Sequence, residues 1–323
     1  MINYPIKFRP ILQDKIWGGK KLKDILNKDT NREQVGESWE ISGVEGNISV
    51  VQNGDEAGKN LKALISEYRE KLVGEKIYKE FGDDFPLLIK FIDAKTDLSV
   101  QLHPNDELAK QRHNSFGKTE MWYIIQADKG SKLNIGFKKD LDKREYLEYL
   151  ENGKITDLLN FEEVKKGDSV FINTGKVHAI GGGVLLAEIQ QTSDITYRIY
   201  DWDRVDAEGN SRDLHTALAL DAIDFEKKDD YWLNYDKEEN TSSEIASCEY
   251  FTTNFLPLKG ELEKDYSSLE SFVIYMCVEG KSRISIDNNS EELRKGQSLL
   301  IPASADKVKL ASKDAELLEI YIK

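Results

Sequence analysis

Apolar positions recur in short alternating or continuous runs along most of this chain, and helical spacing is confined to a few stretches. Ile6–Leu12, Glu37–Ser42 and Asn47–Val51 alternate apolar and polar residues and read as strands. From Asn60 to about Lys79 the period changes. Leu61, Leu64, Ile65, Tyr68 and Leu72 are spaced for one helix face, which predicts a helical insert of two helices over about 58–82. Pro86 then introduces Leu87–Ala94, whose length and apolar run predict a buried strand. Strands are predicted at Leu98–His103, Glu120–Ala127, Ser131–Phe137, Phe161–Val164, Ser169–Ile172, Val184–Gln190 and Tyr197–Trp202. Helices are predicted at Asp106–Arg112 and Leu141–Asn152, and a helix or loop at His215–Ile223.

Lys227 to about Ser243 is charged and polar and reads as a linker or exposed connection. Beyond it strands resume at Tyr250–Leu256, Ser271–Val278, Lys281–Ile286, Ser298–Ile301, Val308–Leu310 and Leu317–Ile322. Many short strands with glycine turns predict a mainly β chain of sandwich or jelly-roll type. An internal echo supports two related units. Val164–Asn173 resembles Leu293–Pro302, and Met121–Gly130 loosely resembles Phe272–Gly280, in the same order. The second copy carries Ser304 for Gly175 and Lys307 for His178, and it contains no histidine. The expected organisation is therefore two β-barrels: a catalytic unit over 1–235 holding the helical insert, and a degenerate unit over 240–323.

Composition narrows the class. With 323 residues, 39% hydrophobic and 32% charged, the chain has the make-up of a globular protein able to bury a large core. A formal charge of −14 argues against a nucleic-acid partner, which needs a basic face, but not against a small anionic substrate. The two cysteines, Cys248 and Cys277, follow no close metal-binding spacing and fit a reducing compartment. No signal-like N-terminal run and no membrane-length apolar segment occurs, so no membrane partner is expected and the cytoplasm is the default location. Oligomeric state is left open.

The candidate chemistry lies between Leu98 and His178. Gln101 and His103 are two apart on a predicted strand and so share a face. Glu120 opens the next apolar strand, and His178 follows the Gly175 turn. Two imidazoles, a carboxylate and a glutamine oxygen suit zinc, and also manganese or iron. Either histidine alone reads as a hydrogen-bonded core residue. The set at successive strand ends requires a common partner. Ser99 shares the Gln101 and His103 face, where a phosphate contact or a plain core serine both fit. Lys118, two before Glu120, faces the same interior or is a solvated loop lysine. Glu188 ends the apolar run Val184–Ala187, which favours a raised pKa if it is buried and not merely a strand-end carboxylate.

Gly167, Asn173, Gly175 and His178 are spaced like the second cupin motif, and Gln101-Leu102-His103 with Glu120 resembles the first. Six motifs in order narrow the likeness: Gly36–Ser42, Phe85–Ala94, Leu98–Pro104, Gly117–Glu120, Gly175–Ala179, and Glu188 with Ser193–Arg198. Together they resemble the type I mannose-6-phosphate isomerase family in its short bacterial form, over the stretch from Trp17 to about Leu214. The resemblance implies two cupin-type jelly-roll barrels and one Zn2+ per chain on Gln101, His103, Glu120 and His178. It implies the interconversion of mannose 6-phosphate and fructose 6-phosphate by proton transfer through an enediol. Arg198 matches the family's catalytic arginine. The base is left among Glu188, Lys118 and a metal-free His103. Longer relatives end the arginine motif in a lysine; here Arg204 is expected to do that cationic work. Ser99, Lys118 and Arg204 are thus the expected substrate contacts. The rival readings are a metal-dependent oxygenase, a non-catalytic sugar-sensing cupin, and an isomerase for another sugar phosphate.

Overall fold

A computed structural model describes residues 2–205 and 208–323. The chain is mainly β. Its first half contributes β1 (Ile11–Gly19), β2 (Val35–Ser42), β3 (Leu87–Ala94), β4 (Val100–Leu102), β5 (Glu120–Ala127), β6 (Lys132–Phe137), β7 (Leu159–Glu163), β8 (Ser169–Ile172), β9 (His178–Ile180), β10 (Val184–Gln191) and β11 (Tyr197–Tyr200). They form two antiparallel sheets, ordered β1-β2-β3-β10-β5-β8 and β11-β4-β9-β6-β7. One core lies between them, with Ile92, Trp122 and Leu186 from the first sheet and Leu133, Ile135 and Ile180 from the second.

The first sheet is covered on both faces, which explains its unbroken apolar runs. Leu185, Ala187 and Ile189 of β10 join a second core with residues of the C-terminal half, such as Phe255, Ile274 and Leu318. Val184 and Leu186 face the inter-sheet core. Side chains alternate along a strand, so Glu188 shares the inter-sheet face with them. The same parity puts Lys90 of β3 and Glu120 of β5 on that face, because Phe91 and Met121 belong to the other core. Three buried ionisable side chains thus enter one interior by register alone.

The C-terminal half contributes β12 (Ser243–Ser247), β13 (Thr252–Asp265), β14 (Val273–Ile286), β15 (Asn289–Arg294), β16 (Ser298–Ile301) and β17 (Lys307–Tyr321). They form one sheet, β12-β13-β17-β14-β15, with β16 also on β14. The strands predicted at Ser271–Val278 and Lys281–Ile286 are one strand, and so are Val308–Leu310 and Leu317–Ile322. Register shifts near Cys277 and Gly280 interrupt the alternation without ending the strand. Both ends of β14 supply the same core, through Val273 and Tyr275 on one side and Ile284 and Ile286 on the other. Among the described residues each sheet is an open path of strands.

The internal echo is structural. The order β3-β10-β5-β8 recurs as β13-β17-β14-β16. Glu120 pairs with Ile172 and Tyr123 with Ser169, while Val273 pairs with Ile301 and Met276 with Ser298. Gly167 N donates to Ile124 O and Ile124 N to Asp168 O; Gly296 N donates to Cys277 O and Cys277 N to Gln297 O. Both glycines take positive φ, +85° and +81°, a conformation that penalises a side chain.

The helical insert is three short helices, Leu61–Tyr68, Glu70–Val73 and Glu75–Phe81. It docks on the C-terminal sheet, where Ala303 N and Ser304 N donate to Leu72 O and Lys71 O at 3.0 Å. Ile6 and Leu300 exchange two 2.8 Å backbone bonds, so the N-terminal segment also joins that sheet. The segment expected as an exposed linker is partly built in. Phe171 N donates to Tyr231 O and Leu233 N to Ser169 O along the edge of β8, and Tyr231 is buried. Its aromatic residues outweigh its charges there. Among the described residues no helix is long and apolar enough to cross a membrane.

Candidate metal centre and cleft

Register assembles the centre. Gln101 of β4 pairs with His178 of β9 on one side and Arg198 of β11 on the other. The Gly175 turn hangs from His103, with Gly175 N donating to His103 O at 2.8 Å. Glu120 opens β5 opposite Gln190. His103, Glu120 and His178 are all buried, each offering one ligand atom within 4.8 Å of the others. The Nε2 atoms of His103 and His178 lie 3.5 and 3.6 Å from the two Glu120 oxygens. Gln101 borders this cluster: its Nε2 is 3.5 Å from His178 Nε2, while its Oε1 accepts from Ser99 Oγ at 3.2 Å.

These residues fit a cation. His103 Nδ1 lies 2.8 Å from Ile195 O, and His178 Nδ1 lies 2.8 Å from Lys176 O. A carbonyl only accepts, so each Nδ1 carries the proton and each Nε2 presents a lone pair inward, as metal-ligating histidines do. Burial lowers both imidazole pKa values, that of His178 to about 4, and keeps them neutral. Glu120 Oε1 is buried without a hydrogen bond, and Oε2 has only the Lys118 ammonium for a donor. Burial and then repulsion from Glu188 raise the Glu120 pKa to about 7. A buried carboxylate between two imidazole lone pairs, with one oxygen left without a donor, is a donor set suited to a divalent cation. The Lys118 ammonium stands beside it, 3.0 Å from Glu120 Oε2 and 3.2 Å from His103 Nε2.

A cavity of about 130 Å³ opens from this point, lined by Ser99, Gln101, Lys118, Glu188 and Arg198 among others. Glu188 sits 3.1 Å from Lys90 Nζ and accepts from Trp122 Nε1 at 2.9 Å. Burial would raise its pKa, but Lys90 and Lys118 outweigh burial and hold it down, to about 2. The raised pKa expected from the apolar strand is therefore reversed by a lysine on the neighbouring strand. Arg198 is half-buried. Its Nε donates to Ser99 Oγ at 3.3 Å and its Nη1 to Asp213 O at 2.8 Å. Asp201, three residues on, is held by Arg204 and Arg212 and not by Arg198. Burial and then Arg212 lower the guanidinium's pKa.

Arg204 is not on the cleft wall. It is bound to Asp201 and to the Asp97 carbonyl, behind Arg212, which does line the cavity. Sequence reasoning missed Arg212 and Lys90. A lone lysine inside the apolar run Leu87–Ala94, in phase with Glu188, was the available signal for Lys90. Trp17 lines the cleft with Trp39 and Trp122. The remaining histidines are structural: His113 bonds Tyr197 OH, and His215 Nδ1 accepts from Arg198 N. Lys15, Lys90, Lys118, Arg198 and Arg212 face the cleft against Glu37, Glu188 and Asp194. This local excess of cations inside a chain of net charge −14 favours an anionic ligand. A larger cavity of about 430 Å³, bounded by Phe81, Phe116 and Tyr250, lies elsewhere and is lined by none of His103, Glu120 and His178.

Comparison with known proteins agrees with this chemistry. Residues 6–143 match the family model of the phosphomannose isomerase type I catalytic domain, and residues 241–322 match that of the mannose-6-phosphate isomerase cupin domain. The chain is 35% identical over 313 residues to mannose-6-phosphate isomerase ManA of Bacillus subtilis, covering 96% of each. It is 34% identical over 301 residues to a mannose-6-phosphate isomerase of Streptococcus mutans, covering 92% of each. The crystal structure of the mannose 6-phosphate isomerase from Bacillus subtilis superposes with a TM-score of 0.89 at 33% identity, over 99% of this chain and 100% of that one. The likeness thus extends through the C-terminal half, beyond the stretch to Leu214 that the motifs mark. With relatives of this identity spanning nearly its whole length, the chain belongs to the type I phosphomannose isomerase family.

Proposed function

We propose that the chain interconverts mannose 6-phosphate and fructose 6-phosphate, with one zinc ion per chain held by Gln101, His103, Glu120 and His178. The observation that carries this reading is the buried Glu120 carboxylate, with Oε1 left without a donor, between two inward imidazole lone pairs at the head of a cation-lined cleft. When bound, the metal supplies positive charge that polarises substrate oxygens. The reaction moves a proton between C1 and C2, so a proton carrier must reach both carbons. Glu188 and Lys118 are the titratable candidates on the cleft floor. Glu188 is kept ionised by Lys90 and Trp122, which preserves an acceptor there. Lys118 brings a cation and a donor to the same interior. Arg198, oriented by Ser99 and the Asp213 carbonyl, holds the substrate and balances negative charge on its oxygens. Ser99 and Lys118 make substrate contacts, and Arg204 acts through Asp201, which it shares with Arg212.

Residues 1–235 form the catalytic cupin-type jelly roll with its insert at about 58–82, and 240–323 the degenerate one. Free cysteines at 248 and 277 support a reducing compartment such as the cytoplasm. The test is metal analysis with a coupled mannose 6-phosphate assay before and after chelation. Isomerisation that stops on chelation and returns with zinc supports the reading. Full activity in metal-free protein overturns it. Turnover of other sugar phosphates at equal kcat/KM overturns the substrate assignment.

A further inference from the structure

The segment Gly117–Thr119 carries Lys118 and leads into Glu120, and every backbone bond that holds it comes from outside the segment. Lys118 N donates to Pro104 O at 3.2 Å. Thr119 N donates to Gln191 Oε1 at 2.8 Å, and Gln191 N returns a bond to Thr119 O at 3.2 Å. Gly117 N donates to Asp106 Oδ1 at 2.8 Å. The same Asp106 oxygen accepts from Gln191 Nε2 at 3.1 Å. Asp106 therefore fixes the segment twice, directly at Gly117 and through Gln191 at Thr119. Its other oxygen, Oδ2, is taken by the hydroxyl of Tyr250. Tyr250 lies 144 residues away, within the stretch matched by the C-terminal cupin model. Gly117 also leaves no slack: a Cβ there would come within 2.7 Å of Asp106 N.

A carboxylate with three donors on two oxygens has one orientation. Removing the Tyr250 hydroxyl frees Oδ2 and lets the group rotate, and that rotation is felt by both bonds on Oδ1. A displacement of about 1 Å at a catalytic group is enough to cost about 100-fold in rate. We infer that Asp106 and Tyr250 are positioning residues, through which the C-terminal half sets the placement of Lys118 and Glu120. This assigns the C-terminal half a task in the reaction although it carries no ligand of its own. The inference rests on the isomerase reading for its kinetic consequence, but its geometric content concerns Glu120 and is separable.

The experiment compares zinc-loaded wild type with Tyr250→Phe, Asp106→Ala, Asp106→Asn and the double variant Tyr250→Phe/Asp106→Ala. Readouts are kcat and KM for mannose 6-phosphate, the rate of zinc release to a chelator, and thermal unfolding. Tyr250→Phe is expected to lower kcat several-fold with KM nearly unchanged, and to speed zinc release. Asp106→Ala is expected to lower kcat by about 10–100-fold, the usual cost of losing a partner behind a ligand. Asp106→Asn is expected to recover part of that loss. The double variant should be no worse than Asp106→Ala, since both remove one chain of bonds. Tyr266→Phe serves as the control: that tyrosine lies in the C-terminal core, so the change should lower stability while leaving kcat and zinc release unaltered. Wild-type kcat and zinc release in Tyr250→Phe, or losses that multiply in the double variant, overturn the inference. If Asp106→Ala does not fold, Tyr250→Phe and Asp106→Asn decide alone. Absence of isomerisation by wild type would sink the isomerase reading instead, and zinc release would still judge the positioning claim.

Discussion

The unit built on β5 and β8 and the unit built on β14 and β16 share strand order, register and glycine turn, and they differ in the side chains they bury. Where Glu120 faces Ile172, Val273 faces Ile301. Where His178 is buried, the corresponding Lys307 is exposed. One acid survives in both. Glu188 lies opposite Lys90 and Trp122, and Glu319 lies opposite Asn254 and Tyr275 at the same place in its sheet. Yet Glu188 lines an open cleft, while Glu319 is closed in by Tyr266, Asn254 at 2.9 Å and Lys264 at 2.9 Å. The scaffold tolerates a buried carboxylate in either half. What separates a centre from a core is whether the donors around it are satisfied by the protein or left facing a ligand.

Exchanging residues between the halves tests this. Glu120→Val, which imports the residue at 273, should lower metal content and kcat by well over about 100-fold, since even outer partners of a ligand cost that much. Normal zinc content in that variant would break the comparison. Glu188→Gln should lower kcat by about 100-fold or more with zinc retained, as expected for loss of a positioned proton carrier. Arg198→Ala should lower kcat by about 100-fold, in line with removing one oxyanion donor, with zinc near its normal level. Loss of zinc there would make Arg198 structural.

Glu319→Gln should behave oppositely, destabilising the fold by about 1–3 kcal/mol in denaturant titration while kcat per folded molecule is unchanged. Its pH dependence follows from its partners. Burial alone would raise the pKa of Glu319, but Lys264 and Asn254 hold it below the ordinary 4.5. A carboxylate depressed in the folded state adds stability above its unfolded pKa and loses it as pH falls through the folded value. The stability gap between wild type and Glu319→Gln should therefore narrow in acid; a gap that widens would sharpen the case against a charged Glu319. Lys307→His should do least. Lys307 is exposed and its ion pair is with the exposed Glu263, so stability should shift by no more than about 0.5 kcal/mol and no second zinc should bind.

Much of this was legible along the chain because it is local. Glu120–Ala127 and Ser169–Ile172 are bounded as their apolar runs predict, and the ligand set stands at strand ends where polar residues interrupt those runs. β9 leaves no mark in the sequence because three residues carry no period, and β14 and β17 each look like a pair of strands because a bulge interrupts alternation as a turn does. The linker was misjudged because its charges outnumber the few aromatic residues that dock it.

By itself the sequence determined a mainly β chain, its paired units, and the candidate metal-ligating residues of one unit, since runs, glycine turns and spacing are properties of neighbours along the chain. Tertiary structure alone decided which charges meet. It brought Lys90 beside Glu188 and so reversed the expected sign of that group's pKa shift. It put Arg212 on the cleft in place of Arg204, and linked Tyr250 to Asp106 across 144 residues. Charges interact through space within a shared low-dielectric interior, and no local pattern records which strands will share it.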